Sequence, residues 1–134
     1  YTSLNNNLNL KSSVSFNQSK DLSTKLPLRH SSPIFGQTSI NFTKRNIKVN
    51  YYINYNGKKD ISNFSPTELN KLYLYTKDGS PAWLTNNISF IYNINYLAKI
   101  NFSCENIFDI HYRSYTSGIS APGRNFNIGL NMSF

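Results

Sequence analysis

Asn125-Phe126-Asn127-Ile128-Gly129-Leu130-Asn131-Met132-Ser133-Phe134 alternates apolar and polar residues without a break. Side chains of a strand point to opposite faces in turn, so Phe126, Ile128, Leu130, Met132 and Phe134 share one face, and Asn125, Asn127, Gly129, Asn131 and Ser133 share the other. A helix would scatter both sets around its axis. The same period recurs upstream. Ala98, Ile100, Phe102 and Cys104 oppose Lys99, Asn101, Ser103 and Glu105. Ile88, Phe90, Tyr92, Ile94 and Tyr96 oppose Ser89, Asn93 and Asn95, with Ile91 the one apolar residue on the polar side. Ile47, Val49, Tyr51, Ile53 and Tyr55 oppose Lys48, Asn50, Tyr52 and Asn54, and Thr38, Ile40 and Phe42 oppose Ser39 and Asn41. A weaker first run carries Leu4, Leu8, Leu10, Val14 and Phe16 on one side. Six strands are expected.

The connections alternate between two lengths. Residues 43–46 and 95–98 leave room only for tight turns, whereas 18–33, 57–85 and 107–123 are long and hold all five Pro and most of the Gly. Every long connection therefore falls at one end of an antiparallel meander and every short one at the other. Transmembrane β-barrels are built this way.

Composition agrees. The 134 residues contain ten Tyr, nine Phe, one Trp, 21 Asn and 18 Ser, too aromatic for a disordered tail. The longest apolar run is Leu72 to Tyr75, far short of the roughly 20 residues of a membrane-spanning helix. One Cys excludes an internal disulfide framework and a multi-cysteine zinc site. No charged-then-apolar leader opens the chain, which reads as a fragment or processed product. The polar face is mostly Asn and Ser, with Lys48, Lys99 and Glu105 its clearest charges. On the apolar face Tyr51, Tyr55, Tyr92, Tyr96, Phe126 and Phe134 are expected near strand ends, where amphipathic rings meet a membrane interface. Such strands need a closed sheet, because lipid offers no partner to a bare backbone group. Six strands do not close a large barrel, so the chain is expected to be part of a bigger wall, either as a fragment or with other chains completing it.

Four spaced segments carry a family resemblance. Gly79-Ser80-Pro81-Ala82-Trp83-Leu84-Thr85-Asn86-Asn87 leads into a strand, and Glu105-Asn106-Ile107-Phe108-Asp109-Ile110-His111-Tyr112-Arg113 ends the penultimate one. Ser117-Gly118-Ile119-Ser120-Ala121-Pro122-Gly123-Arg124-Asn125-Phe126 opens the last strand, and Leu26-Pro27-Leu28-Arg29-His30 with Ser32-Pro33-Ile34-Phe35-Gly36 approaches an earlier one. In this order they resemble the C-terminal end of TonB-dependent outer-membrane receptors. The resemblance implies an all-β, antiparallel transmembrane segment of a barrel of about 22 strands, with residues 1–134 forming its C-terminal part and the plug domain absent. It implies a non-enzymatic receptor without a cofactor in the outer membrane of a Gram-negative cell. Its partners would be membrane lipid and lipopolysaccharide, the rest of the barrel and its plug, the TonB complex acting through the plug, and the barrel-assembly machinery. Its cargo would be a scarce nutrient, most often an iron chelate such as a siderophore or haem.

The resemblance also assigns residues. Phe134, with Met132, Leu130, Ile128 and Phe126, resembles the signal read by the assembly machinery; the plain alternative is an apolar strand end. Trp83, Asn106, Asp109, Tyr112, Gly118, Pro122, Gly123 and Arg124 are the family-motif loop positions, Asn106 and Asp109 reading as turn residues that bond their own backbone. Arg113, Arg124 and His111 can contact an anionic ligand or a lipopolysaccharide phosphate. The commoner role of such arginines is to order a loop beside Asp109 or Glu105. His30 and His111 can in principle ligate haem iron, but about 80 residues separate them and ordinary loop histidines fit better. Cys104 reads as a small lipid-facing residue with no base beside it.

The net charge of +8 invites a nucleic-acid reading. It is set aside, because Lys20, Lys25, Arg29, Lys58, Lys59, Lys71, Lys77 and Arg113 fall in the expected loops rather than on one sheet face. Two other readings stay open: a passive porin-type barrel end, and a secreted β-sandwich that binds glycans.

Overall fold

The computed structural model describes residues 2–133. Its main element is a seven-stranded antiparallel sheet of β1 (Thr2–Asn5), β2 (Leu8–Ser15), β3 (Phe35–Lys44), β4 (Ile47–Asn56), β7 (Trp83–Asn93), β8 (Ala98–Glu105) and β9 (Asn125–Met132), paired in that order. The intervening β5 (Lys59–Asp60) and β6 (Gly79–Ser80) form a small ribbon in the longest loop. The meander expected from alternation is therefore present, with one strand more. The first run is a hairpin rather than a single strand, because Asn6 and Asn7 turn the chain and set Thr2 opposite Leu10. Its pairing is irregular between Ser3 and Asn5, on either side of Leu4.

Register fixes the two faces. Leu10, Ile40, Tyr51 and Ile88 lie across four strands in line, as do Ile88, Cys104 and Phe126 further along. Asn9, Asn41, Asn50 and Ser89 lie in line on the opposite face. A one-residue slip would exchange the faces completely. The polar face is knitted by side-chain bonds: Asn131 Nδ2 donates to Asn101 Oδ1 at 2.8 Å, and Gln37 Nε2 donates to Asn54 Oδ1 at 2.9 Å. Among the described residues no second sheet covers the apolar face. Along β9, Phe126, Ile128, Leu130 and Met132 are 57–82% exposed, a continuous apolar stripe unlike the surface of a soluble monomer. Phe134 lies outside the described residues.

Three short turns sit at one end, at 6–7, 45–46 and 94–97, and three long connections at the other. In the last short turn Asn95 Oδ1 accepts the N–H groups of Leu97 and Ala98, both at 2.8 Å, and so makes a side-chain-stabilised bend. The third strand-to-loop boundary differs from expectation: β7 already begins at Trp83, so the long connection before it ends at 82.

One aromatic assignment also changes. Tyr92 and Tyr96 do lie by the short turns and Tyr55 near the loop end of β4, but Tyr51 is central in β4, where its hydroxyl donates to Asn86 Oδ1, a polar residue of the apolar face that pairs with Ile53 nearer the loops. Tyr55 lays its ring across Gly36 and donates to the Ser13 carbonyl at 3.1 Å. A Cβ on Gly36 would stand 2.5 Å from that hydroxyl and 2.2 Å from the Ser13 carbonyl, so the strand needs glycine there. Cys104 shares the apolar parity, but at 7% exposure it is covered beside Ile88 and Phe126 instead of standing free toward lipid.

The faces are testable by substitution. In lipid vesicles, Leu130→Arg is expected to cost about 2–4 kcal/mol near mid-bilayer, whereas Asn127→Arg on the other face costs well under half of that. Denaturant unfolding of the two variants measures the difference, and equal losses would contradict the assignment of faces.

Candidate functional site

The loop end is a joined structure. In the longest connection Ser65-Pro66-Thr67-Glu68 starts a short helix, Pro66–Leu69, with a capping box: Ser65 Oγ accepts the Glu68 N–H at 3.3 Å and Glu68 Oε2 accepts the Ser65 N–H at 2.9 Å. The other carboxylate oxygen turns outward to two other loops. Glu68 Oε1 accepts the Tyr115 hydroxyl at 2.6 Å and the His30 backbone N–H at 3.1 Å. Lys59 completes the hub, its Nζ donating to Tyr115 Oη and to the Ser31 carbonyl, both at 2.6 Å, with Glu68 Oε2 at 3.9 Å. Phe64 and Tyr75 pack edge-on at 4.6 Å between ring centres, and Lys59 Nζ lies 4.5 Å from the Tyr115 ring centre. Residues from all three long connections thus meet at one charged, aromatic node.

Lys59 and Glu68 are 7% and 3% exposed, so the charges depend on each other. Burial pushes the Lys59 ammonium below its usual range, and Glu68 opposes the shift. Burial also pushes the Glu68 carboxyl up, but the Tyr115 hydroxyl, the Ser65 and His30 N–H groups and the Lys59 charge outweigh it and hold the group below the usual carboxylate range. Burial, then the bond to Glu68, raises the Tyr115 phenol so that it stays a donor.

The base of the last loop is a second network, built from the motif residues. Asn106 is 3% exposed and adopts a left-handed backbone with φ 50°. Its side chain closes on Ile110, Oδ1 accepting the N–H and Nδ2 donating to the carbonyl, each at 2.9 Å, and Nδ2 also reaches the Pro122 carbonyl at 3.5 Å. Its own N–H donates to Asn87 Oδ1 at 2.8 Å, which ties the loop to the polar face of β7. Asp109 Oδ1 accepts the Arg124 N–H at 2.7 Å, and Arg124 Nε donates to the Ile107 carbonyl at 2.8 Å. A Cβ on Gly123 would lie 2.5 Å from Asp109 Oδ1. Two segments about fifteen residues apart in sequence therefore interlock through Asn106, Asp109, Gly123 and Arg124. Arg124 orders the loop through a main-chain carbonyl, not through an ion pair with Asp109 or Glu105.

The remaining motif residues gather above this base. Trp83 and Tyr112 pack together with ring centres 4.3 Å apart and planes tilted by 36°, and Arg113 Nη1 donates to the Leu74 carbonyl at 2.9 Å, bridging the last and longest loops. His111 Nε2 lies 3.1 Å from Ser120 Oγ. Together Trp83, His111, Tyr112 and Arg113 border a cavity of about 310 Å3. Gly118 stands apart, with nothing near the position of a Cβ. His30 contributes its backbone N–H to the hub. Among the described residues no three His, Cys, Asp or Glu side chains are grouped to hold a metal ion.

The hub residues Lys59, Phe64, Glu68, Tyr75 and Tyr115 escape sequence reasoning. Only the Ser65…Glu68 capping-box spacing announces itself beforehand.

A solved structure, the copper transporter OprC, is similar in fold, with a TM-score of 0.82 over 98% of this chain at 14% identity. The chain spans 22% of the length of that protein. No family model and no curated protein matches the sequence.

Two outcomes follow. Glu68→Leu strands a buried Lys59 and is expected to cost about 3–5 kcal/mol of loop-cap stability, read as faster hydrogen exchange in 57–82 and 107–123 with the sheet unaffected. Because the Glu68 pKa is depressed on folding, its contribution is complete above the ordinary value of 4.5 and is lost as pH falls through the lower folded value. The near-ultraviolet dichroism of the tyrosine cluster should therefore fade only below pH 4.5, and Glu68→Gln should remove that transition.

Proposed function

We propose that this chain forms the C-terminal wall of a TonB-dependent outer-membrane receptor, a barrel of about 22 strands around a plug, that takes up a scarce nutrient, in first place an iron chelate. The observation that carries this reading is the two-faced sheet with all its long connections at one end. An apolar outer face suits lipid, an Asn- and Ser-rich inner face suits a wet lumen, and loops fixed to one another suit a binding end. The interlocked Asn106, Asp109, Gly123 and Arg124 add support, since the motif series that suggested the family makes one physical unit here. In this reading the chain is non-enzymatic and resides in the outer membrane as a multi-pass barrel. The plug and the TonB complex lie in other parts of the machine, and the assembly machinery receives the β9 end. The fold shared with a copper transporter makes a metal complex a natural cargo class.

A passive porin-type end would have no use for a cap tied across three loops, and a glycan-binding sandwich would bury the apolar face under a second sheet. The receptor reading is tested by expressing the complete reading frame that contains this chain in cells with and without TonB. Recovery in the outer-membrane fraction, with TonB-dependent growth on ferric siderophore or haem under iron starvation, is the expected result. A product in the soluble fraction, or uptake indifferent to TonB, would overturn it.

A further inference from the structure

The cavity beside Trp83 has an uneven chemistry. Four aromatic rings line it, those of Tyr73, Tyr75, Trp83 and Tyr112, together with the basic side chains of His111 and Arg113. Its remaining side chains are small, aliphatic or hydroxyl-bearing. In a chain with 21 Asn, no Asn, Gln, Asp or Glu borders it. The nearby carboxylate of Glu68, whose charge reaches Tyr75, already has the Tyr115 hydroxyl, two backbone N–H groups and Lys59 as partners. The uncompensated charge at the cavity is therefore positive.

Arg113 is also held in place. One of the five N–H donors of its guanidinium is fixed on the Leu74 carbonyl at 2.9 Å, which leaves the other donors of this cavity-lining side chain to a ligand. We propose that this cavity is a subsite for an organic anion with a planar aromatic body, an aryl carboxylate or aryl sulfonate. The ring would lie against the Trp83–Tyr112 wall, where offset contacts between aromatic faces are favourable, and the anionic group would meet Arg113 in a charge-assisted pair. A volume of about 310 Å3 admits one or two fused rings. A neutral sugar fits less well, because sugar hydroxyls call for the carboxylate and amide acceptors that this lining lacks. The assignment rests on the loop end being the ligand-facing end of a barrel.

Calorimetry on the complete detergent-solubilised protein tests it with four probes: 2-naphthoate, 2-naphthylmethanol, 2-naphthylmethylamine and methyl glucoside. Naphthoate is expected to bind about tenfold tighter than the alcohol, in keeping with one hydrogen bond to a charged group, and the amine weaker than either. Arg113→Gln should bring naphthoate down to the affinity of the alcohol and leave the alcohol unchanged; Arg113→Lys should keep part of the preference. No naphthoate binding, equal binding of the three naphthyl probes, a preference that survives Arg113→Gln, or binding of the glucoside in their place would each overturn the proposal. If the glutamine variant does not assemble, the order of the probes on the unaltered protein still decides. Failure here with the protein found in the outer membrane removes the subsite and leaves the receptor reading standing. Naphthoate selectivity in a protein recovered from the soluble fraction does the reverse.

Discussion

The backbone of a strand must find hydrogen-bond partners on both sides, and where one face of the sheet meets hydrocarbon no water is available to supply them. In the proposed membrane setting that constraint accounts for the continuous ladder from β1 to β9 and for the short turns that join strands without breaking it. It also sets the places where the ladder relaxes. The long stretches of irregular backbone lie at the loop end, where freed groups are met by side chains: Asn106 for Ile110, Asp109 for Arg124, Glu68 for Ser65 and His30. The motif residues act as local substitutes for a strand partner.

A second consequence concerns rigidity. Loops of this length usually move independently, yet here the Lys59, Tyr115 and Glu68 node joins three of them around buried charge. A buried ion pair is weak evidence for added stability, since desolvation consumes much of its attraction. Its value lies in geometry, because the charges find their partners across three loops held in this arrangement. The cavity beside Trp83 is bordered by two of those loops, so a fixed cap presents its aromatic wall and Arg113 already in place, which lowers the ordering cost of binding.

Much of the sheet was legible in the sequence because a strand with unlike faces writes its period directly into the residues. The last strand, β8, β7, β4 and β3 follow that period, and Pro and Gly mark the long connections. The first hairpin was not legible, since Asn5-Asn6-Asn7 carries no glycine and the even-numbered leucines run through the turn as if along one strand. Tyr51 was misplaced for a related reason: periodicity gives a face but not a height, and height is what separates an interfacial ring from one bonded to Asn86. At the loop end the motif spacing located Asn106, Asp109 and Arg124, but not that Arg124 would bond a carbonyl. The node of Lys59, Glu68 and Tyr115 joins residues up to 56 apart through loops without any period, so nothing local could reveal it.

The central claim is that one face of this sheet meets lipid and the other an aqueous interior. It is tested most directly by a cysteine scan of β9, with Cys104 first replaced by Ser and a bimane fluorophore placed in turn at each position from 125 to 132. In vesicles containing nitroxide lipids, strong quenching is predicted at 126, 128, 130 and 132 and weak quenching at 125, 127, 129 and 131. Uniform quenching, or none at any position, would contradict the account.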